Sequence, residues 1–143
     1  MNGHGEAMTK YVLPIRVYLE DTDAQGVVYN ASYFRFMERA RTECLRACGI
    51  DHDELREEHG VVLVLSAIEA RFRAPARLSD MLYVSADLAE ARGARMRFEQ
   101  HVRRGEPHGD VVCEGFAEVA CMDARRGKPR RLPEALISEL SNE

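Results

Sequence analysis

Between residues 20 and 30 the chain reads Glu20-Asp21-Thr22-Asp23-Ala24-Gln25-Gly26-Val27-Val28-Tyr29-Asn30. A carboxylate held beside a helix start can act as base or nucleophile, while the unpaired N–H groups of the first turn polarise a carbonyl. Asp21 and Asp23 are the candidates for that work. The ordinary alternative is that both are turn and capping residues, a common use of Asp. Glu20 reads as a solvated strand end. Tyr29, Asn30 and Ser32 can add hydrogen bonds to such a site, and Asn30 or Ser32 can equally cap the helix that follows.

Other chemistries find less support. His4, His52, His59, His101 and His108 are scattered and no H-E-x-x-H occurs, so no metal site is expected. Ser66, Ser79 and Ser85 lack a G-x-S-x-G frame, and no G-x-G-x-x-G or P-loop motif is present. Cys44, Cys48, Cys113 and Cys121 form no C-x-x-C pair. They read as buried, reduced thiols, which suits a cytoplasmic protein. Two arginine groups, Arg71/Arg73/Arg77 and Arg125/Arg126 with Lys128/Arg130/Arg131, could meet an anionic diphosphate. More often such groups solvate a surface.

The elements that must position these residues follow from composition and periodicity. The chain has 143 residues, is 45% hydrophobic and 31% charged, and carries a net charge of −4. That suits one globular domain with a real core and argues against general nucleic-acid binding. No apolar run approaches the ~20 residues of a membrane span, and Met1 to Lys10 reads as a polar flexible tail with no signal-peptide core. Residues 11–143 then form the single domain.

Tyr11 to Glu20 is predicted as a strand, with Pro14 marking an edge. The clearest helix runs from about Ala31 to Cys48. Its stripe of Tyr33, Phe34, Met37, Ala40, Arg41, Cys44, Leu45 and Cys48 repeats every three to four residues, and Gly49 sits where a left-handed terminator belongs. A short polar helix over Asp51–Glu58 ends at Gly60. Strand-like runs follow at Val61–Leu65, Ile68–Arg73, Met81–Ala91, Arg95–Arg103 and Val111–Met122. Arg92-Gly93-Ala94 forms a hairpin turn between two of them, and Leu132–Leu140 is a closing helix. One helix followed by sequential strands is an α+β layout. The helix covers only one face of such a sheet, so a second copy of the chain is expected to cover the other.

The run from Arg16 to Tyr33, continuing in Met37-Glu38-Arg39-Ala40-Arg41-Thr42-Glu43, resembles the opening signature of the 4-hydroxybenzoyl-CoA thioesterase family. The nearest branch is that of the Tol–Pal-associated acyl-CoA thioesterases. Pro75-Ala76-Arg77-Leu78 is similar to a segment of the same branch. The resemblance covers about Ile15 to Pro133. It implies a hotdog fold, a long helix wrapped by a curved antiparallel sheet of about five strands, in homodimers that often pair into homotetramers. It implies hydrolysis of a thioester carried on CoA or an acyl carrier protein, with no metal or redox cofactor and CoA present only as part of the substrate. It places the catalytic carboxylate, nucleophile or general base, on Asp23. Asp21, Gly26, Tyr29 and Asn30 become supporting residues. A backbone donor is implied within Val62, Leu63 and Val64.

One departure stands out: relatives in that branch carry histidine after Val-Val-Tyr, where this chain has Asn30. Asparagine does not titrate near neutral pH, so any proton transfer by that histidine is absent here. This keeps a noncatalytic acyl-CoA or carrier-protein binding module as the alternative, and a hotdog dehydratase as a weaker one.

Overall fold

The structure, a computed structural model, describes residues 7–141. Its elements are β1 (Thr9–Arg16), α1 (Asn30–Ala47), α2 (His52–Glu54) running into a π turn at Leu55–His59, β2 (Val61–Phe72), β3 (Met81–Arg92), β4 (Arg95–Arg104), β5 (Asp110–Asp123) and α3 (Glu134–Ser141). The strands form one antiparallel sheet in the order β1-β3-β4-β5-β2. β1 and β2 are therefore the two edges. Pro14 sits in edge strand β1, where its missing N–H faces no second neighbour.

Period-two patterning decides which face of the sheet meets α1. Leu82, Val84, Ala86 and Leu88 of β3 and Met96, Phe98, Gln100 and Val102 of β4 are all buried. They close against Tyr33, Phe36, Met37, Ala40 and Cys44 of α1, which packs over β1, β3 and β4. Burying one such large apolar side chain contributes about 1.5–3 kcal/mol. Phe36 is fully buried although it lies outside the predicted stripe, whereas Phe34 remains 36% exposed. Phe34 is turned toward β2, with its ring 6.3 Å from that of Phe72.

Two polar side chains tie the helix to the sheet from inside. Gln100 Nε2 donates to the carbonyls of Met37 (3.0 Å) and Ser85 (3.1 Å), and Gln100 Oε1 accepts from Arg41 Nη1 at 2.8 Å. Arg41 is 6% exposed, and burial lowers its pKa from the usual arginine value.

Three expectations change in detail. β1 begins at Thr9 and stops at Arg16, so Thr9 and Lys10 belong to the sheet, and residues 1–6 of the expected tail lie outside the described residues. Leu19–Asp21 is a 3-10 turn rather than strand, because the Asp21 carboxylate bends back to accept the Tyr18 N–H at 2.8 Å. The two runs after Gly60 are a single strand, β2, whose pairing with β5 shifts between Leu65 and Ala67, leaving Ser66 as a bulge.

The face of the sheet away from α1 is charged. Glu118 meets Arg95 at 3.8 Å and Arg97 at 3.7 Å, and Glu114 meets Arg73 at 2.6 Å and His101 at 3.4 Å. Arg97 also lies 3.9 Å from the centre of the Phe116 ring. Such a face is stable in water, so it supplies no reason for a second copy. The exposed apolar residues of the sheet lie on its two edge strands, Val12 of β1 at 47% and Val64 and Leu65 of β2 at 45% each.

All four cysteines are buried, and none is in a disulfide. Burial and the neighbouring Glu114 charge push the Cys113 thiol up to about 12, so it stays protonated near neutrality. A thiol reagent added to the native protein at pH 8 is expected to label none of the four within minutes, and all four once the chain is denatured. Fast labelling of even one native thiol would contradict this burial.

Candidate active site

The acidic segment is a closed loop at the foot of α1. Gly26 N–H donates to the Asp23 carbonyl at 3.0 Å and Asp23 N–H to the Val27 carbonyl at 3.0 Å, while Thr22 and Val28 bridge below. Gly26 has φ +77° with open space where a Cβ would stand. The left-handed backbone alone therefore selects glycine there, and Gly26→Ala is expected to lower stability by about 1 kcal/mol. Denaturant unfolding reads this, and an unchanged midpoint would contradict it.

The two aspartates separate cleanly. Asp21 is 4% exposed. Its Oδ2 accepts from Tyr18 N–H, its Oδ1 lies 3.8 Å from Arg35, and its carbonyl accepts the Ser32 hydroxyl at 3.1 Å. It is spent on holding the turn. Asp23 is exposed. Its Oδ1 accepts the N–H groups of Gln25 (2.9 Å) and Val27 (3.2 Å), which fixes the carboxylate's direction. Its Oδ2 makes no hydrogen bond among the described residues, so lone pairs remain for a proton or an electrophile.

The start of α1 differs from expectation. Tyr29 holds the N-cap position with no side-chain cap, Asn30 is the first helical residue, and the Ser32 hydroxyl turns to Asp21 instead. The N–H groups of Asn30 and Ala31 find no partner among the described residues. An uncapped helix start beside an oriented carboxylate is a site where a carbonyl oxygen can be polarised. Tyr29 and Asn30 are both exposed at its rim.

A second segment straps this loop in place. Val28 N–H donates to the Ala76 carbonyl at 2.9 Å, Leu78 N–H to the Gly26 carbonyl at 3.0 Å, and Val27 bridges Arg77. Ala76 N–H in turn reaches the Tyr33 hydroxyl at 3.3 Å. The strap is held by Asp80, whose Oδ2 accepts from Arg77 N–H at 2.8 Å, and it passes through Ser79 at φ 74°. The Pro75–Leu78 motif and the acidic motif are thus hydrogen-bonded to one another. Arg35 is an addition to the residues singled out from sequence: its Nη2 donates to Ser32 Oγ at 3.0 Å, and it lies 6.0 Å from the Tyr29 ring centre. The three-residue spacing of Ser32 and Arg35 on the helix was the available signal.

Val62, Leu63 and Val64 are not brought to Asp23 within one chain. Phe72, at the far end of β2, stands beside the start of α1, with its ring 5.6 Å from that of Tyr33, whereas Leu63 faces the later turns of α1 at Arg41 and Leu45. Val62–Val64 lie eight or more residues up the strand, about 26 Å or more away along it. They sit on the free edge of the sheet, where half the backbone groups point away from β5. Among the described residues, no group of three or more His, Cys, Asp or Glu side chains comes together as metal ligands, and no helix is long and apolar enough to cross a membrane.

A long helix cupped by a five-stranded antiparallel sheet, with an oriented carboxylate at the helix foot, is the hotdog arrangement. Residues 17–140 match the thioesterase-like superfamily, and the chain belongs to that family. The acyl-CoA thioester hydrolase YbgC of Escherichia coli O6:H1 is 40% identical over 131 residues, 92% of this chain and 96% of that protein. The acyl-CoA thioesterase YbgC of Haemophilus influenzae is 38% identical over 86% of this chain and 88% of its own length. The crystal structure of a probable thioesterase from Bartonella henselae superposes with a TM-score of 0.79 at 35% identity, covering 87% of this chain and 99% of that one.

Proposed function

We propose that this chain is an acyl-CoA thioesterase in which Asp23 performs the chemistry. The observation that carries the reading is the Asp23 carboxylate itself, with one oxygen anchored by two backbone N–H groups and the other open beside the uncapped start of α1. The YbgC relatives support the substrate class.

In this reading the thioester carbonyl lies over the first turn of α1, and its oxygen takes charge from the Asn30 and Ala31 N–H groups as the carbon becomes tetrahedral. Asp23 acts in one of two ways. As nucleophile, its carboxylate displaces CoA thiolate to form a mixed anhydride, which water opens. As general base, it takes a proton from the attacking water. Both routes consume one water and release CoA thiol and a carboxylic acid, with no metal or redox cofactor. Asn30 contributes by hydrogen bonding alone, since it carries no titratable proton near neutral pH.

The working unit in this proposal is a homodimer, formed by pairing the β2 edges antiparallel, and homotetramers are pairs of such dimers. Antiparallel pairing brings Val62–Val64 of one subunit toward the helix start of the other. Thiol release from a panel of acyl- and aroyl-CoAs, measured for wild type and Asp23→Asn, tests the function. Wild-type rates in Asp23→Asn would remove the assigned role. Saturable binding without turnover would leave a binding module, and water elimination from a 3-hydroxyacyl thioester would make the chain a dehydratase.

A further inference from the structure

A cavity of about 80 Å³ lies between the later turns of α1 and the inner face of the sheet. Leu45 of α1, Leu63 of β2, Phe98 of β4 and Val119 of β5 give it apolar walls. Arg41 lines it too, although this side chain is only 6% exposed. A buried cation is normally matched by a carboxylate, because an unpaired charge is costly to take out of water. Arg41 has no such match. Its one hydrogen bond goes to the neutral side-chain oxygen of Gln100 at 2.8 Å, and it forms no ion pair among the described residues. Glu38 is the one carboxylate among the lining residues, but it is exposed. Burial lowers the Arg41 pKa, and the Glu38 charge opposes this without cancelling it.

The guanidinium also has donors to spare. Nη1 is committed to Gln100, while the N–H groups on Nη2 and Nε have no acceptor among the described residues. Among those residues, no side-chain nitrogen is both sealed from solvent and unpartnered. The spare donors therefore open onto the cavity that Arg41 lines. A planar cationic fork set in apolar walls matches a carboxylate bidentately. The volume is that of about three water molecules, enough for a carboxylate and an adjoining methylene.

Leu63 stands between this cavity and the free edge of β2. In the β2-paired dimer, that stretch of strand lies beside the helix start of the other subunit, where the thioester carbonyl is held. An acyl group extending from that carbonyl runs past Leu63 toward Arg41.

We propose that the acyl group hydrolysed by this chain carries a second, distal carboxylate, and that Arg41 pairs with it and so selects dicarboxylic acyl-CoAs. The proposal deepens the acyl-CoA thioesterase reading and rests on it and on its dimer. The distal carboxylate takes no part in the chemistry. Water still opens the thioester, releasing CoA thiol and the free dicarboxylic acid. An acyl group ending in methyl leaves the guanidinium without a counterion, and that difference is the source of the selection.

The test sets succinyl-, glutaryl-, adipyl- and suberyl-CoA each beside the unbranched acyl-CoA of the same length ending in methyl. For at least one pair, kcat/KM is expected to favour the carboxylate-ended substrate by about tenfold or more. Arg41→Met keeps most of the side-chain length and removes the charge, and is expected to abolish or reverse that preference. Arg41→Lys keeps the charge and is expected to retain part of it, which a merely structural role for Arg41 would not produce. Equal or greater kcat/KM for the methyl-ended member of every pair would overturn the proposal and leave the thioesterase reading intact. So would a preference that survives unchanged in Arg41→Met.

A second measurement needs neither turnover nor a variant. Calorimetric titration of the wild-type protein compares non-hydrolysable S-alkyl-CoA thioethers of the same lengths, ending in carboxylate or in methyl. At the length that fits, Kd is expected to be about tenfold lower for the carboxylate-ended thioether. Equal Kd values at every length would overturn the proposal even if Arg41→Met fails to fold. No turnover of any thioester, with no binding of either thioether, would defeat the thioesterase reading instead, and the proposal with it.

Discussion

Asp23→Asn is expected to fold as wild type and to lose about a thousandfold in kcat. The asparagine side-chain oxygen can keep accepting the Gln25 and Val27 N–H groups, so the loop retains its shape. The amide nitrogen then replaces Oδ2, the only carboxylate oxygen with open lone pairs, and removes both the nucleophile and the base. Loss of one negative charge near a helix N-terminus costs only about 0.3–1 kcal/mol, so the melting temperature should hardly move. Asp21→Ala should do the opposite. It deletes a buried acceptor for the Tyr18 N–H and a neighbour of Arg35, and is expected to cost about 2 kcal/mol of stability while the folded fraction keeps its kcat within a few-fold. Steady-state kinetics beside urea unfolding separates the two. Equal kinetic losses in both variants would contradict the division of labour between the carboxylates.

The largest stability effect is expected at Gln100. Gln100→Leu keeps the volume and removes the one hydrogen-bond acceptor that the buried Arg41 guanidinium has among the described residues, together with the donors to the Met37 and Ser85 carbonyls. The buried guanidinium then loses its acceptor, and two carbonyls lose their side-chain donor. The expected loss is about 3 kcal/mol or more, read as a lowered urea midpoint at unchanged slope. Gln100→Glu is expected to fail as well, despite placing a carboxylate beside Arg41, because its oxygens would face two carbonyls where an amide N–H₂ now donates. A midpoint within 0.5 kcal/mol of wild type for Gln100→Leu would show that Arg41 finds another acceptor, a threshold at the size of an ordinary surface substitution, about 0.5 kcal/mol.

These residues also mark how far the sequence could be read. The inward faces of β3 and β4 were legible because alternation has a period of two and Gln100 fell into register as its one polar member. Arg41 stood out in the helix stripe for the same reason. Nothing in local spacing joined them, since the pairing spans residues 41 and 100 and depends on how the helix crosses the sheet. Phe34 and Phe36 were harder still. Two residues apart, they point about 200° from one another around the helix, so one stripe can hold only one of them, and the crossing of α1 over β1, β3 and β4 decides which is buried. The expected helix caps do not form because the helix begins at Asn30 itself, which puts Asn30 and Ser32 inside its first turn, where the Ser32 hydroxyl donates to the Asp21 carbonyl eleven residues back.

At the candidate site, the loop could be located but not its two carboxylates told apart. Spacing leaves Asp21 and Asp23 equivalent, and resemblance chose the second. The geometry adds an independent distinction, a carboxylate whose oxygens are both engaged against one with an open oxygen. The strap from Ala76 to Asp80 was visible only as a motif, because hydrogen bonds between segments fifty residues apart have no local signature.

The measurement that bears most directly on the central claim is the fate of an acyl-CoA incubated with the wild-type protein, with CoA thiol and free acid quantified together. The account predicts that at least one member of an acyl- and aroyl-CoA panel is converted with many turnovers per chain, one thiol appearing for each acid. Saturable binding of those thioesters with neither product formed would contradict it.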